Sequence, residues 1–190
     1  FWKNVRSEAR FLPEALTPDE QHVYRQSTTT LLQAQVREEG SASGQILTAL
    51  QPVSKAVTQP ADHLLSAEAL ATAGLTTAAQ HALSFIQHAE HNRYTLFDVL
   101  GSEHGIGHPY LVSPAPYFGN GEEWRWQRPD DAVLRADGMP RYMMAFEALR
   151  AALHRRGLTS TEEFDDSTFI AASWAELSTR GADVIMYRVN

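Results

Sequence analysis

The sequence predicts a mainly α-helical fold with a minor β component (α+β). It calls for about five to seven helices, a long irregular middle rich in proline and aromatic residues, and one or two short strands. Three observations carry this reading. Apolar residues recur at helical spacing before residue 100 and again after residue 140. Between 101 and 139 that spacing disappears, while glycine and proline recur. Near the end, "DVIMYRV" (183–189) has the β-branched and aromatic character of a buried strand.

The first helix is expected over 17–40. Thr17-Pro18-Asp19-Glu20 is a capping box with proline at the first helical position. Tyr24, Thr28, Leu32 and Val36 form a row at i+4 spacing, and Gly40 is the natural stop. A short helix is expected over 44–50, ended by Pro52. Residues 61–73 read as helix, closed by Gly74. Thr76 is placed to cap the next helix, which runs to about 92 and at most to Leu100; Ala79, Ala82, Leu83, Ile86 and Ala89 are its apolar stripe.

Within the irregular segment, 94–99 and 123–127 are the candidates for short strands. Helix returns over 140–156, where Tyr142, Phe146, Leu149 and Leu153 fall at i, i+4, i+7 and i+11. Two further capping boxes, Ser160-x-x-Glu163 and Ser173-x-x-Glu176, predict short helices near 161–166 and 174–180. The 190 residues fit a single domain: an N-terminal extension (1–16), a helical part (17–100), the irregular segment (101–139), and helices plus a C-terminal strand (140–190).

Composition narrows the chemistry. Apolar residues make up 43% and charged residues 21%, which suits a packed, soluble domain. There is no cysteine, which excludes disulfides, thiolate metal sites and a thiol nucleophile. For the same reason His88-Ala89-Glu90, the tripeptide of the zinc deaminases, lacks the cysteine pair those enzymes need. The formal charge of −7, with no basic run longer than a pair, predicts no nucleic-acid partner. No apolar run is long enough to span a membrane. The start at Phe1 rather than Met reads as a processed product or a trimmed fragment, and no compartment follows from it.

Residues 88–108, "HAEHNRYTLFDVLGSEHGIGH", hold half of the eight histidines. On a helix, His81, Ser84, His88 and His91 share a sector of about 80°, opposite the apolar stripe, so the simplest expectation is exposed, unliganded imidazoles. His104 and His108 have the i, i+4 spacing of metalloprotease ligands, but the glycines between them oppose a helix. A composite centre remains the alternative. Three ligands drawn from His88, His91, His104 and His108, with Asp98 or Glu103 as the oxygen ligand, would bind one divalent metal such as zinc and leave a position open, with Glu90 or Glu103 as general base, and the activity would be hydrolytic.

Residues 108–129, "HPYLVSPAPYFGNGEEWRWQRP", collect five aromatic side chains among four prolines. Gly119-Asn120-Gly121 signals a turn before Trp124. Such a segment needs a surface to lie on, either its own helical core or a partner. Trp, Tyr and Arg are the residues that anchor interfaces. On the partner reading, Tyr117, Phe118, Trp124 and Trp126 are anchors, and Arg125 and Arg128 are polar contacts.

No G-x-S-x-G, G-x-G-x-x-G or P-loop motif occurs, which removes the common serine-hydrolase elbow and nucleotide cradles. Five carboxylate pairs, Glu122-Glu123 among them, are expected at helix ends or in polar loops as solvated charge. The sequence therefore points to a non-catalytic accessory or scaffolding subunit, with no cofactor, that docks on another protein or larger assembly through the aromatic segment. The metal-dependent hydrolase is the alternative.

Overall fold

The computed structural model describes residues 16–48, 57–90, 95–97, 103–105, 111–124, 126–127 and 137–156; for 95–97, 103–105 and 126–127 it describes the backbone. The protein is mostly helical. Among the described residues there are four helices: α1 (Pro18–Ala34), α2 (Pro60–Thr72), α3 (Thr76–His88) and α4 (Gly138–Arg155). Five to seven were expected over the whole chain. Those expected near 161–166 and 174–180, and the strand at 183–189, lie outside the described residues. No helix of the described residues is long and apolar enough to cross a membrane.

Helix α1 starts as its capping box dictates. The Thr17 backbone N–H donates to a Glu20 carboxylate oxygen at 2.8 Å, and the Glu20 N–H donates back to the Thr17 hydroxyl at 3.4 Å. The Thr17 N–H, and after it the Thr17 hydroxyl, which donates to the same carboxylate oxygen at 2.7 Å, hold the Glu20 carboxyl below its ordinary pKa. The helix ends at Ala34 and not at Gly40, because Gln35 turns extended with ψ at 125°. The Gln35 amide nitrogen donates to the Ala78 carbonyl of α3 at 2.8 Å, a contact that a continued helix would remove.

The helix expected over 44–50 does not form at its described positions. Residues 41–44 are a turn, and Ile46 lies in an antiparallel bridge with Gln35. The physical reason is a close approach. Gly44 has φ +85°, and a Cβ there would sit 2.0 Å from the His81 carbonyl oxygen. The loop thus presses glycine backbone against α3, which a helix carrying side chains could not do.

Helices α2 and α3 form a hairpin. The Leu75 N–H bonds the Leu70 carbonyl and the Gly74 N–H bonds the Ala71 carbonyl, both at 2.9 Å, which is a Schellman closure. Leu75, not Thr76, is the N-cap of α3, and Thr76 is buried as its first residue. Helix α3 stops at His88, short of 92. Its predicted stripe is buried throughout: Ala79, Ala82, Leu83, Ile86 and Ala89. Helix α4 completes the core with Tyr142, Phe146, Leu149 and Leu153. Small residues such as Ala67, Ala71, Ala79, Ala82 and Ala145 let the helix axes approach closely. Side-chain bonds tie α4 and its C-cap Arg156 to α3: Gln87 Nε2 donates to the Tyr142 hydroxyl, and an Arg156 guanidinium nitrogen donates to the Thr76 hydroxyl, both at 2.6 Å.

Among the described residues there are five short strands: β1 (Val57–Thr58), β2 (Thr95–Phe97), β3 (Glu103–Gly105), β4 (Tyr117–Phe118) and β5 (Trp126–Gln127). Strand β2 pairs antiparallel with β3 and parallel with β5, while β1 pairs antiparallel with β4, Val57 opposite Phe118 and Thr58 opposite Tyr117. The strand pieces expected near 94–99 and 123–127 are among these. Extended segments continue the β1–β4 pair on both sides. Thr48 N–H donates to the Val57 carbonyl, and Leu47 N–H to the Ala34 carbonyl. Beyond β4, Tyr117 bridges Glu123. This layer lies over α3, where Phe85 meets Tyr117 edge to face with centroids 5.2 Å apart.

Candidate functional site

The aromatic segment folds as a tight hairpin. Phe118 N–H donates to the Glu122 carbonyl at 2.8 Å, Gly121 N–H to the Phe118 carbonyl at 2.9 Å, and Trp124 N–H to the Pro116 carbonyl at 2.9 Å. The Asn120 side-chain oxygen accepts from the Glu122 N–H at 3.1 Å. Gly121 supplies the left-handed conformation (φ +85°) that a three-residue loop of this kind needs. The Gly-Asn-Gly signal marks this turn correctly.

Alternation then sorts the side chains. Tyr117 and Glu123 oppose each other and point inward; both are buried. Phe118 and Trp124 are diagonal neighbours on the outer face, stacked with ring centroids 5.3 Å apart and planes inclined by 27°. Phe118 keeps 40% of its surface exposed and Trp124 is half-buried.

Two of the sequence expectations change here. Tyr117, placed among the partner anchors, has no exposed surface and packs on Phe85. It belongs to the core, because inward positions of the hairpin face α3. Glu123, expected as solvated charge, is 1% exposed. The Ser113 hydroxyl donates to its carboxylate and accepts the Ala115 N–H at 3.0 Å. The doublet Glu122-Glu123 is split by the strand's period of two, one carboxylate out and one in.

The turn is pinned from a distant part of the chain. Gln45 Nε2 donates to the Phe118 carbonyl at 2.7 Å, and the Ser41 hydroxyl donates to the Asn120 carbonyl at 2.8 Å. A Cβ at Gly121 would meet the Ser41 carbonyl oxygen at 2.5 Å, so the two turns touch backbone to backbone. Nothing in the local sequence of either turn announces this clasp. Trp126 is described as backbone only, and Arg125 and Arg128 lie outside the described residues.

The histidine cluster is placed in part. His81 and His88 are exposed on α3, opposite the buried stripe. The His88 ring pairs through Nδ1 with the Ser84 carbonyl at 2.8 Å. Both histidines line an open cavity of about 260 Å³ with Gly40, Ser41, Ser43 and Ser84, floored by Phe85. Glu90 follows α3 and is partly buried. Glu103 and His104 are on β3, described as backbone, and His91, Asp98 and His108 lie outside the described residues. Among the described residues, no three His, Asp or Glu side chains are grouped to hold a metal ion.

His63, on α2, belongs to no motif in the sequence. It is 1% exposed, bonds Ile46 and Ala82 through its two ring nitrogens, and meets Phe85 edge to face at 5.3 Å. Burial pushes its pKa down to about 4. A single histidine in an alanine-rich helix carries no pattern that distinguishes a structural clasp from a reactive group; here both nitrogens are occupied by backbone.

No family model, no curated protein and no solved structure matches this chain.

Proposed function

We propose that this protein is a non-catalytic accessory or scaffolding subunit that docks on another protein through the hairpin at residues 117–124. One observation carries the reading. Two large aromatic rings, Phe118 and Trp124, are stacked at the surface of a turn held by contacts to Gln45 and Ser41. Rings already ordered lose little conformational freedom on binding, which favours affinity. Aromatic residues of this kind form the buried centre of protein interfaces. Tyr117 serves as the root that fixes the turn to the core, and Phe118 and Trp124 serve as the contact.

The test is co-purification from the source cells of the full chain and of Phe118→Ala/Trp124→Ala. The double variant is expected to lose its partner while keeping the wild-type circular dichroism spectrum and melting temperature. A folded double variant that still carries the same partner overturns the reading. A double variant that unfolds makes these rings core residues and overturns it equally.

A further inference from the structure

We propose that His63 is an acid-released latch: a proton taken up at Nδ1 detaches the 41–48 loop from α2 and α3, and with it that loop's hold on the 117–124 hairpin, while the α2–α3–α4 core stays folded.

The geometry of the ring carries the proposal. The Ile46 N–H points at Nδ1 from 3.0 Å, and Nε2 pairs with the Ala82 carbonyl at 2.8 Å. A carbonyl only accepts, so the ring proton is on Nε2 and Nδ1 is a bare acceptor. A second proton on Nδ1 would face the Ile46 N–H, donor against donor. The site is also closed to water: His63 is 1% exposed, with Phe85 packed edge to face against it. A buried cation whose new donor finds no acceptor is costly, so the imidazolium forms once Ile46 has moved away.

The charges around the ring leave this arrangement undisturbed. The 41–48 loop contains no ionisable side chain. On α2, Asp62 is exposed and Glu68 half-buried; on α3, His81 and His88 are exposed. Beyond Phe85 and Tyr117 the hairpin carries the buried Glu123, whose carboxylate is engaged by Ser113. The charged side chains of α4 are exposed, apart from the half-buried Arg141. Among the described residues, none of these groups bonds the ring, and both of its nitrogens are held by backbone.

What the latch holds follows from the loop's other bonds. Gln45 and Ser41 donate to the Phe118 and Asn120 carbonyls of the hairpin, at 2.7 and 2.8 Å. The three helices are joined instead through apolar side chains such as Leu64, Leu70, Leu83, Ile86, Phe146 and Leu149, which bind no proton. Acid thus acts on the layer over the helices and not on the contacts between them.

The experiment is amide hydrogen exchange of the full chain between pH 7 and 4, corrected for intrinsic rates and repeated at several low urea concentrations. The Ile46 amide is expected to exchange through a local opening that hardly depends on urea. That opening grows by up to about tenfold per pH unit between 6.5 and 4, about 100-fold in all. The amides of Leu70 and Leu83 are expected to stay at least about tenfold better protected and to exchange through a urea-dependent unfolding. In His63→Gln, whose side chain can accept from Ile46 and donate to Ala82 without titrating, the pH dependence at Ile46 disappears. The ring nitrogen shifts of the wild type give a second reading that needs no variant: Nδ1 is expected to protonate in step with the loss of protection at Ile46. The proposal is overturned if Ile46 exchanges with the same protection and urea dependence as Leu70 and Leu83, or if its protection is unchanged down to pH 4. It is equally overturned if folded His63→Gln keeps the pH dependence, or if Nδ1 protonates while Ile46 stays protected.

Discussion

The backbone N–H of Ile46 donates to Nδ1 of His63 at 3.0 Å. Because Nδ1 accepts, the ring proton resides on Nε2, which donates to the Ala82 carbonyl at 2.8 Å. One neutral imidazole thereby joins the 41–48 loop, α2 and α3. Removing it leaves the buried Ile46 N–H without its acceptor and takes from the Ala82 carbonyl a bond additional to its place in α3. His63→Ala is expected to cost on the order of 2–4 kcal/mol in denaturant titration at neutral pH. A loss within experimental error would show that the clasp is dispensable.

The same ring makes stability depend on pH. Its native pKa of about 4 lies below the ordinary 6.5, chiefly through burial. The unfolded chain therefore takes up this proton first as pH falls. The contribution is fully present above pH 6.5, declines between 6.5 and 4, and is lost below 4. The gap amounts to on the order of 3 kcal/mol. Urea titrations of the wild type and of His63→Gln across this window check it. The variant is expected to show the shallower slope, and equal slopes would contradict the assignment.

Gly44 and Gly40 separate steric from conformational cost. Both have positive φ, but a Cβ at Gly44 would fall 2.0 Å from the His81 carbonyl oxygen, whereas one at Gly40 meets nothing within 4 Å. Gly40→Ala is expected to cost about 1 kcal/mol through backbone strain alone. Gly44→Ala must also push the loop off α3, and a loss of about 3 kcal/mol or more is expected. Comparable melting temperatures for the two variants would refute the close approach.

Ser113 supports a buried carboxylate. Its hydroxyl donates to Glu123 and accepts from the Ala115 N–H. Ser113→Ala withdraws both interactions at a site closed to water, and a loss of about 1–3 kcal/mol is expected. Glu123→Gln, which retains an acceptor oxygen, is expected to cost less than Ser113→Ala does. The order of the two variants in thermal melts decides the point.

The capping box of α1 makes a local prediction. Thr17→Ala removes the hydroxyl that receives the Glu20 N–H and is expected to cost about 1 kcal/mol. Faster amide exchange should be confined to the first turn of α1. Uniform acceleration across α2 and α3 would mean that this end of α1 carries more of the fold than its exposure suggests.

What could be read from the chain alone were features whose causes are local. The capping box at 17–20, the Gly74 stop, the stripe of α3 and the row Tyr142, Phe146, Leu149 and Leu153 each follow from interactions within a few residues along the chain. The Gly-Asn-Gly turn before Trp124 is of the same kind. Tertiary structure decided everything that depends on contact between distant segments. Gln35 ends α1 early because Ala78, 43 positions later, offers its carbonyl. The 41–48 loop leaves the helical pattern because His63 and the α3 backbone hold it. Glu122 and Glu123 are alike in sequence, yet one is solvated and one buried, because only the hairpin's orientation over Phe85 distinguishes inside from outside. Phe118 and Trp124 form a surface pair for that same reason. Periodicity reports which residues share a face; what that face meets is settled when the chain closes on itself.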